Sequence, residues 1–208
     1  LHVVEQTITR FRSESQRGVV ADFSRRHFDT LSAFVRIGGG SLGGKGRGLA
    51  FVNSILHGYG IHDRFPGTII RVPTTAVIGT DVFDAFFDQG KLRDDVLSDW
   101  DDAQIIEACL AHKLPSEIYG DLEAFLDQVR YPLAVRSSSL LEDSQFQPFA
   151  GVYATYMLAN NHPDLKVRLD QLCDAIKLVY ASTYTRAAKS YVDATANRIE
   201  EEKMAVIV

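Results

Sequence analysis

Between Gly38 and Gly48 the chain reads GGGSLGGKGRG, seven glycines in eleven residues. A stretch so poor in side chains cannot build a core of its own, so it must join elements that do. On its C-terminal side Leu49, Phe51, Val52, Ile55 and Leu56 recur with helical spacing until Gly58 and Gly60 end the segment. The glycine run therefore feeds a helix N-terminus. Glycine lets backbone N–H groups approach a polyphosphate closely, and the helix end adds partial positive charge. Lys45 and Arg47 add formal charge to the same run. A flexible linker with two incidental cations is the bland alternative, but a lysine inside a glycine run that opens an amphipathic helix favours an anion grip.

Two nucleotide motifs overlap the run. Gly39 through Lys45 satisfies the first seven positions of a P-loop, but Gly46 stands where serine or threonine would ligate magnesium. Gly38, Gly40 and Gly43 satisfy the dinucleotide fingerprint, which needs a strand before it. The spacing of Val20, Phe23, Phe28, Leu31, Phe34 and Val35 predicts a helix over residues 19–35 instead, with Ala33 to Ile37 as its end. Both motifs are rejected on these grounds.

Further along, residues 68–78 are rich in isoleucine, valine and threonine and broken at Pro73, which reads as one or two strands. Residues 81–129 carry helical periodicity in three or four pieces. Tyr131 to Val135 predicts a short strand with Gly151 to Leu158 as its partner and fourteen largely polar residues, Arg136 to Phe149, between them. Asn161 and Pro163 signal the start of a long amphipathic helix through Leu165, Leu169, Leu172, Ile176 and Val179. A second helix over Thr185 to Ile199 and a terminal strand, Met204 to Val208, complete the pattern.

A second constellation lies at AVRSSSLLEDSQFQPFAG, Ala134 to Gly151. An arginine at the end of a strand presents a guanidinium fork at the rim of a sheet, and the three hydroxyls that follow suit phosphate oxygens. A polar surface turn in which Arg136 pairs with Glu142 or Asp143 is the competing reading, and composition alone does not decide between them.

With 22 basic and 27 acidic side chains, the net charge of −5 gives no nucleic-acid surface, so any anion site is local. Cys109 and Cys173 stand apart from each other and from any zinc-like spacing, and both read as reduced core residues. No apolar run reaches membrane-spanning length and no signal-peptide pattern opens the chain, so a cytoplasmic protein without membrane contact is expected. The start at Leu1 and the stop within an apolar run are expected of an excised piece of a longer protein.

Taken together, GGKGRGLA and AVRSSSLLEDSQFQPFAG resemble, in the same order, two segments of the nucleotide-binding domain of the pyruvate phosphate dikinase and phosphoenolpyruvate synthase family. Phe149-Ala150-Gly151 followed by Thr155, and the terminal MAVIV, match the same style. The resemblance covers residues 37–208 and implies an α+β fold, the first lobe of an ATP-grasp module. That lobe would have a mixed sheet, flanking helices and a helical insertion over about 81–129, truncated at its C-terminal end. Residues 1–36 are expected to be a helical connection from an upstream region.

The resemblance implies that Lys45 and Arg136 bind ATP phosphates, that Gly43, Gly44 and Gly46 shape the loop around them, and that Ser137 and Ser138 accompany Arg136. Leu140 and Leu141 depart from the family's small residue and threonine, and Arg47-Gly48 departs from its Ala-Asn or Ala-Ser. None of His2, His27, His57, His62, His112 and His162 has the glycine-threonine-serine-histidine setting of the family's phosphate-carrying histidine, so all six are expected to be structural or surface residues. That histidine domain, the second ATP-grasp lobe with the Mg2+ ligands, and the pyruvate-binding domain would be partners elsewhere in the protein. The implied function is phosphotransfer from ATP to that histidine and on to pyruvate or a related acceptor, with the 208 residues alone binding ATP weakly and transferring nothing. A non-catalytic nucleotide-sensing module is the competing reading.

Overall fold

The structure, a computed structural model, describes residues 20–26, 28, 34–61, 64–139, 151–195 and 198–208. Its strands are β1 (Ala21–Asp22), β2 (Phe34–Ile37), β3 (Thr75–Ile78), β4 (Leu133–Ser139), β5 (Thr155–Leu158) and β6 (Met204–Ile207). Its helices are α1 (Gly43–Gly58), α2 (Thr80–Phe87), α3 (Leu92–Leu97), α4 (Asp102–Ala111), α5 (Ser116–Gln128), α6 (Leu165–Ser182) and α7 (Arg186–Asp193). The strands form one mixed sheet in the order β1-β2-β3-β6-β4-β5. β1, β2 and β3 run parallel, whereas β6 is antiparallel to both β3 and β4 and β5 is antiparallel to β4.

Alternation along the strands splits the apolar side chains between two layers. Val35, Ile37, Ala76, Ile78, Val135 and Val206 pack with α2 to α7 in the larger core. Phe34, Val77, Ala205 and Ile207 point the other way, onto Leu42, Leu49 and Ala50 of the α1 segment. The α+β class, the mixed sheet, the helical pieces within 81–129 and the pairing of β4 with β5 are as expected.

Other expectations are corrected. The helix over 19–35 does not form in the described residues, because Ala21–Asp22 and Phe34–Ile37 are strands of the sheet and Leu31 lies outside the described residues. Phe34 and Val35 are buried in opposite layers, so a strand apolar on both faces imitates a crowded helical stripe. Of the region before residue 37, residues 1–19 lie outside the described residues, and what is described contributes β1 and β2. Residues 68–74 carry no strand. The long helix is capped by Asp164, whose side chain accepts from Lys166 N at 2.9 Å, rather than by Asn161. The helix expected over 185–199 stops at Asp193, followed by a short 3-10 turn at Ile199–Glu201.

One buried cation escapes an apolar reading of α6. Arg168, 2% exposed, donates from Nη1 to Leu126 O at 2.8 Å, to Val129 O and to Asn160 Oδ1. These carbonyls end α5, where a cation meets the negative end of the helix dipole. Asn160, at φ 50, supports the same corner by donating to Val129 O and Tyr131 O. Arg168→Met keeps the length of the stem and leaves the Leu126 carbonyl buried without this donor. It should cost about 2 to 4 kcal/mol in urea unfolding, and a loss under about 0.5 kcal/mol would show that the corner holds without the cation.

Cys109 and Cys173 are free and buried. Burial pushes both thiols up to about 12, with Lys177 nearby opposing the shift. Both stay protonated in the folded chain, and stability is expected to fall as pH rises from the ordinary thiol range towards 12, where only the unfolded chain ionises freely. Alkylation by iodoacetamide at pH 8 should therefore await global unfolding. Fast labelling of either thiol in the native protein would contradict it.

Candidate functional site

The glycine run joins β2 to α1, and α1 returns to β3, which lies parallel beside β2. A strand therefore does precede the run, which corrects the ground on which the dinucleotide fingerprint was set aside. Gly38, Gly40 and Gly43, the three fingerprint positions, have φ of 72, 86 and 68°. Side chains are disfavoured there, so the turn depends on these glycines.

Helix α1 begins at Gly43, six residues before the first apolar residue of the expected helix. Half of the glycine run is thus helical despite a cost of roughly 1 kcal/mol per glycine. Packing offsets that cost: Gly43, Gly44 and Gly46 are buried, and a Cβ on Gly43 would overlap the backbone carbonyl of Ser138. The first turn of α1 lies directly on β4. Leu42 provides no side-chain cap. Ser41 Oγ accepts from Gly43 N at 3.2 Å, and Ser138 Oγ accepts from Gly46 N at 2.9 Å while donating to Leu42 O at 2.7 Å. Ser138 therefore caps α1 from another element, at the position where a P-loop would supply its own hydroxyl.

Strand β4 runs through Ser139, so Arg136, Ser137, Ser138 and Ser139 lie in the sheet rather than in a loop. Arg136 pairs with Ile207 and Ser138 with Ala205, which puts both on the face that α1 covers. Arg136 is exposed and the three serines are fully buried. Lys45, in the first turn of α1, donates from Nζ to Ser137 O at 3.3 Å and to Ser137 Oγ at 3.2 Å. The fold thus carries Lys45 across 92 positions to the residue that follows Arg136. The two serines hold α1 and Lys45 to the strand, a role their expected place beside Arg136 did not include.

Glu142 and Asp143, with Leu140, Leu141, Phe149 and Ala150, lie outside the described residues. So do His2, His27 and His62. His57 and His112 donate from Nδ1 to the Asn53 and Ala108 carbonyls at 2.8 and 2.9 Å, and His162 Nδ1 accepts from Asp164 N. Among the described residues, no group of three or more His, Cys, Asp or Glu side chains is placed to hold a metal ion, and no helix is long and apolar enough to cross a membrane. Sequence reasoning passed over Ser41 and Thr80. A serine two residues before a helix start is a readable capping signal. Thr80 lies 39 positions away from its partner Ser41, and no local pattern points to it.

The site thus joins a glycine-opened helix start, a lysine held at its base and an arginine on the neighbouring strand. No curated protein matches the chain. Residues 40–208 match the family described as pyruvate phosphate dikinase, AMP/ATP-binding domain. That span takes in α1 with Lys45 and β4 with Arg136, and the chain belongs to this family.

Proposed function

We propose that the chain grips the phosphates of ATP between the first turn of α1 and β4, in a protein that passes phosphoryl from ATP to a histidine of another domain and on to pyruvate or a related acceptor. Membership in the family gives nucleotide binding in a phosphotransferase of the dikinase type. The single observation that supports the finer reading is the seating of Lys45 on Ser137, beside Arg136 on the α1 face of the sheet. A lysine at a glycine-lined helix start, held to the strand residue that follows Arg136, suits a polyanion in a way that neither segment does alone.

In this reading Lys45 and Arg136 neutralise and orient the phosphates and abstract no proton. Phosphoryl transfer leaves little covalent work for the protein, so positioning and charge compensation supply the rate. Lys45 would exchange its bonds to Ser137 for phosphate oxygens, with the buried serine holding the ammonium in place meanwhile. Among the described residues no group of three or more His, Cys, Asp or Glu side chains would cage Mg2+, whose ligands belong with the second lobe in this reading. The cytoplasmic setting, the second lobe, the histidine domain and the acceptor domain belong to the same proposal.

The test is an NMR titration of the 208-residue chain with Mg-ATP. Saturable amide shifts are expected at Gly43 to Gly46 and at Arg136 to Ser138. Shifts confined to another surface, such as the groove around Trp100 and Lys189, would move the site away from α1. Incubating the full-length protein with labelled ATP then separates transfer from sensing: acid-labile phosphoprotein supports the transferase, and its absence with intact ATP binding supports a sensor.

A further inference from the structure

Two helices begin at the same end of the sheet, α1 after β2 and α2 after β3, and each start has N–H groups without helical partners. The structure treats them differently. At α2 these donors are taken by the glycine turn: Gly79 N donates to Ile37 O at 3.0 Å, Thr80 N to Ser41 O at 3.1 Å and Asp81 N to Gly39 O at 3.2 Å. The contact is close in both directions. A Cβ on Gly40 would overlap Thr80 Oγ1 and the Asp81 carboxylate, and one on Gly79 would overlap the Gly39 carbonyl. Arg36, paired with Asp22 at 2.7 Å, donates from Nη1 to Gly40 O at 3.1 Å and closes the turn from the other side.

Within this brace Thr80 is 5% exposed and holds Ser41 twice, because its Oγ1 also accepts from Ser41 N at 2.9 Å. Ser41 in turn caps Gly43 N, the first donor of α1, two residues before Lys45. We infer that Thr80 is a positioning residue for the phosphate site: through Ser41 it fixes where α1 begins and so where Lys45 and the Gly44 amide point. The inference rests on the reading of α1 as the phosphate grip. Thr80 never meets the nucleotide. The α2 start, its donors held by the turn, serves as the scaffold against which Ser41 sets the first turn of α1.

The experiment compares Thr80→Val, which keeps the side-chain volume and removes the hydroxyl, with Thr80→Ser, which keeps the hydroxyl. Mg-ATP is titrated into the 208-residue chain and followed by amide shifts. Thr80→Val should weaken binding about tenfold and Thr80→Ser should stay within about twofold of the parent, with amide exchange faster at Ser41 to Gly46 in the valine variant alone. Ile105→Val, in the core on the opposite face of the sheet, should lose stability without losing affinity. If Thr80→Val fails to fold, Ser41→Ala removes the same link one step later and should weaken binding several-fold. Unchanged affinity in Thr80→Val while Lys45→Ala loses it would overturn the positioning role, as would an equal loss of affinity in Ile105→Val at matched stability. Unchanged affinity in Lys45→Ala would show that the phosphate reading itself has failed, and this inference with it.

Discussion

Gly43→Ala is expected to destabilise the chain by about 3 to 5 kcal/mol. Two costs add. The backbone at φ 68 lies in the left-handed region, where a Cβ costs roughly 1 to 2 kcal/mol. The new Cβ also overlaps the Ser138 carbonyl, which is backbone in a strand paired on β6 and cannot rotate aside. The first turn of α1 must lift from β4, which stretches the bonds of Ser138 Oγ to Gly46 N and Leu42 O and of Lys45 to Ser137. Each is worth about 0.5 to 1.5 kcal/mol. Gly48→Ala is the matched control, since it lies in the same helix and its Cβ meets nothing within 4 Å. There alanine should be neutral or stabilise by up to about 1 kcal/mol through helix propensity. Urea unfolding of both variants decides the matter: equal midpoints would mean that glycine at position 43 answers to backbone freedom alone and not to contact with β4.

Lys45→Ala is expected to weaken Mg-ATP binding about a hundredfold, near 3 kcal/mol, while changing stability by less than about 1 kcal/mol. The asymmetry follows from what the ammonium touches. Among its contacts it donates to a neutral carbonyl and a hydroxyl of Ser137, and with nucleotide bound it would face anionic phosphate oxygens. Arg136 is exposed, so its removal should leave the fold intact and cost a similar factor in affinity. Arg136→Lys should recover only part of it, because an ammonium cannot present the guanidinium fork. The double variant should lose less than the sum of the two if both grip the same phosphates. Binding should also weaken as salt is raised, and that dependence should shrink in either variant. Parent-like affinity in both single variants would place the nucleotide elsewhere.

Local physics made much of this chain legible. The helical pieces within 81–129 and the long stripe of α6 follow from spacing, and β6 from an apolar run without breaks. The glycine run, its lysine and the arginine before three serines were visible as chemistry, because charge and missing side chains are local facts. Tertiary structure decided the rest. Phe34–Ile37 is a strand because β1 and β3 pair on either side of it and a helical layer lies on each face, none of which its four residues announce. Residues Arg136 to Ser139 extend β4 because β6, more than sixty positions later in the chain, supplies backbone partners. Gly43 opens a helix against its propensity because β4 approaches so closely that only a bare backbone fits beside Ser138. Sequence spacing determined which residues carry charge and which can pack. Which backbone meets which was decided by contacts between distant segments, and those contacts bring Lys45 to the strand of Arg136.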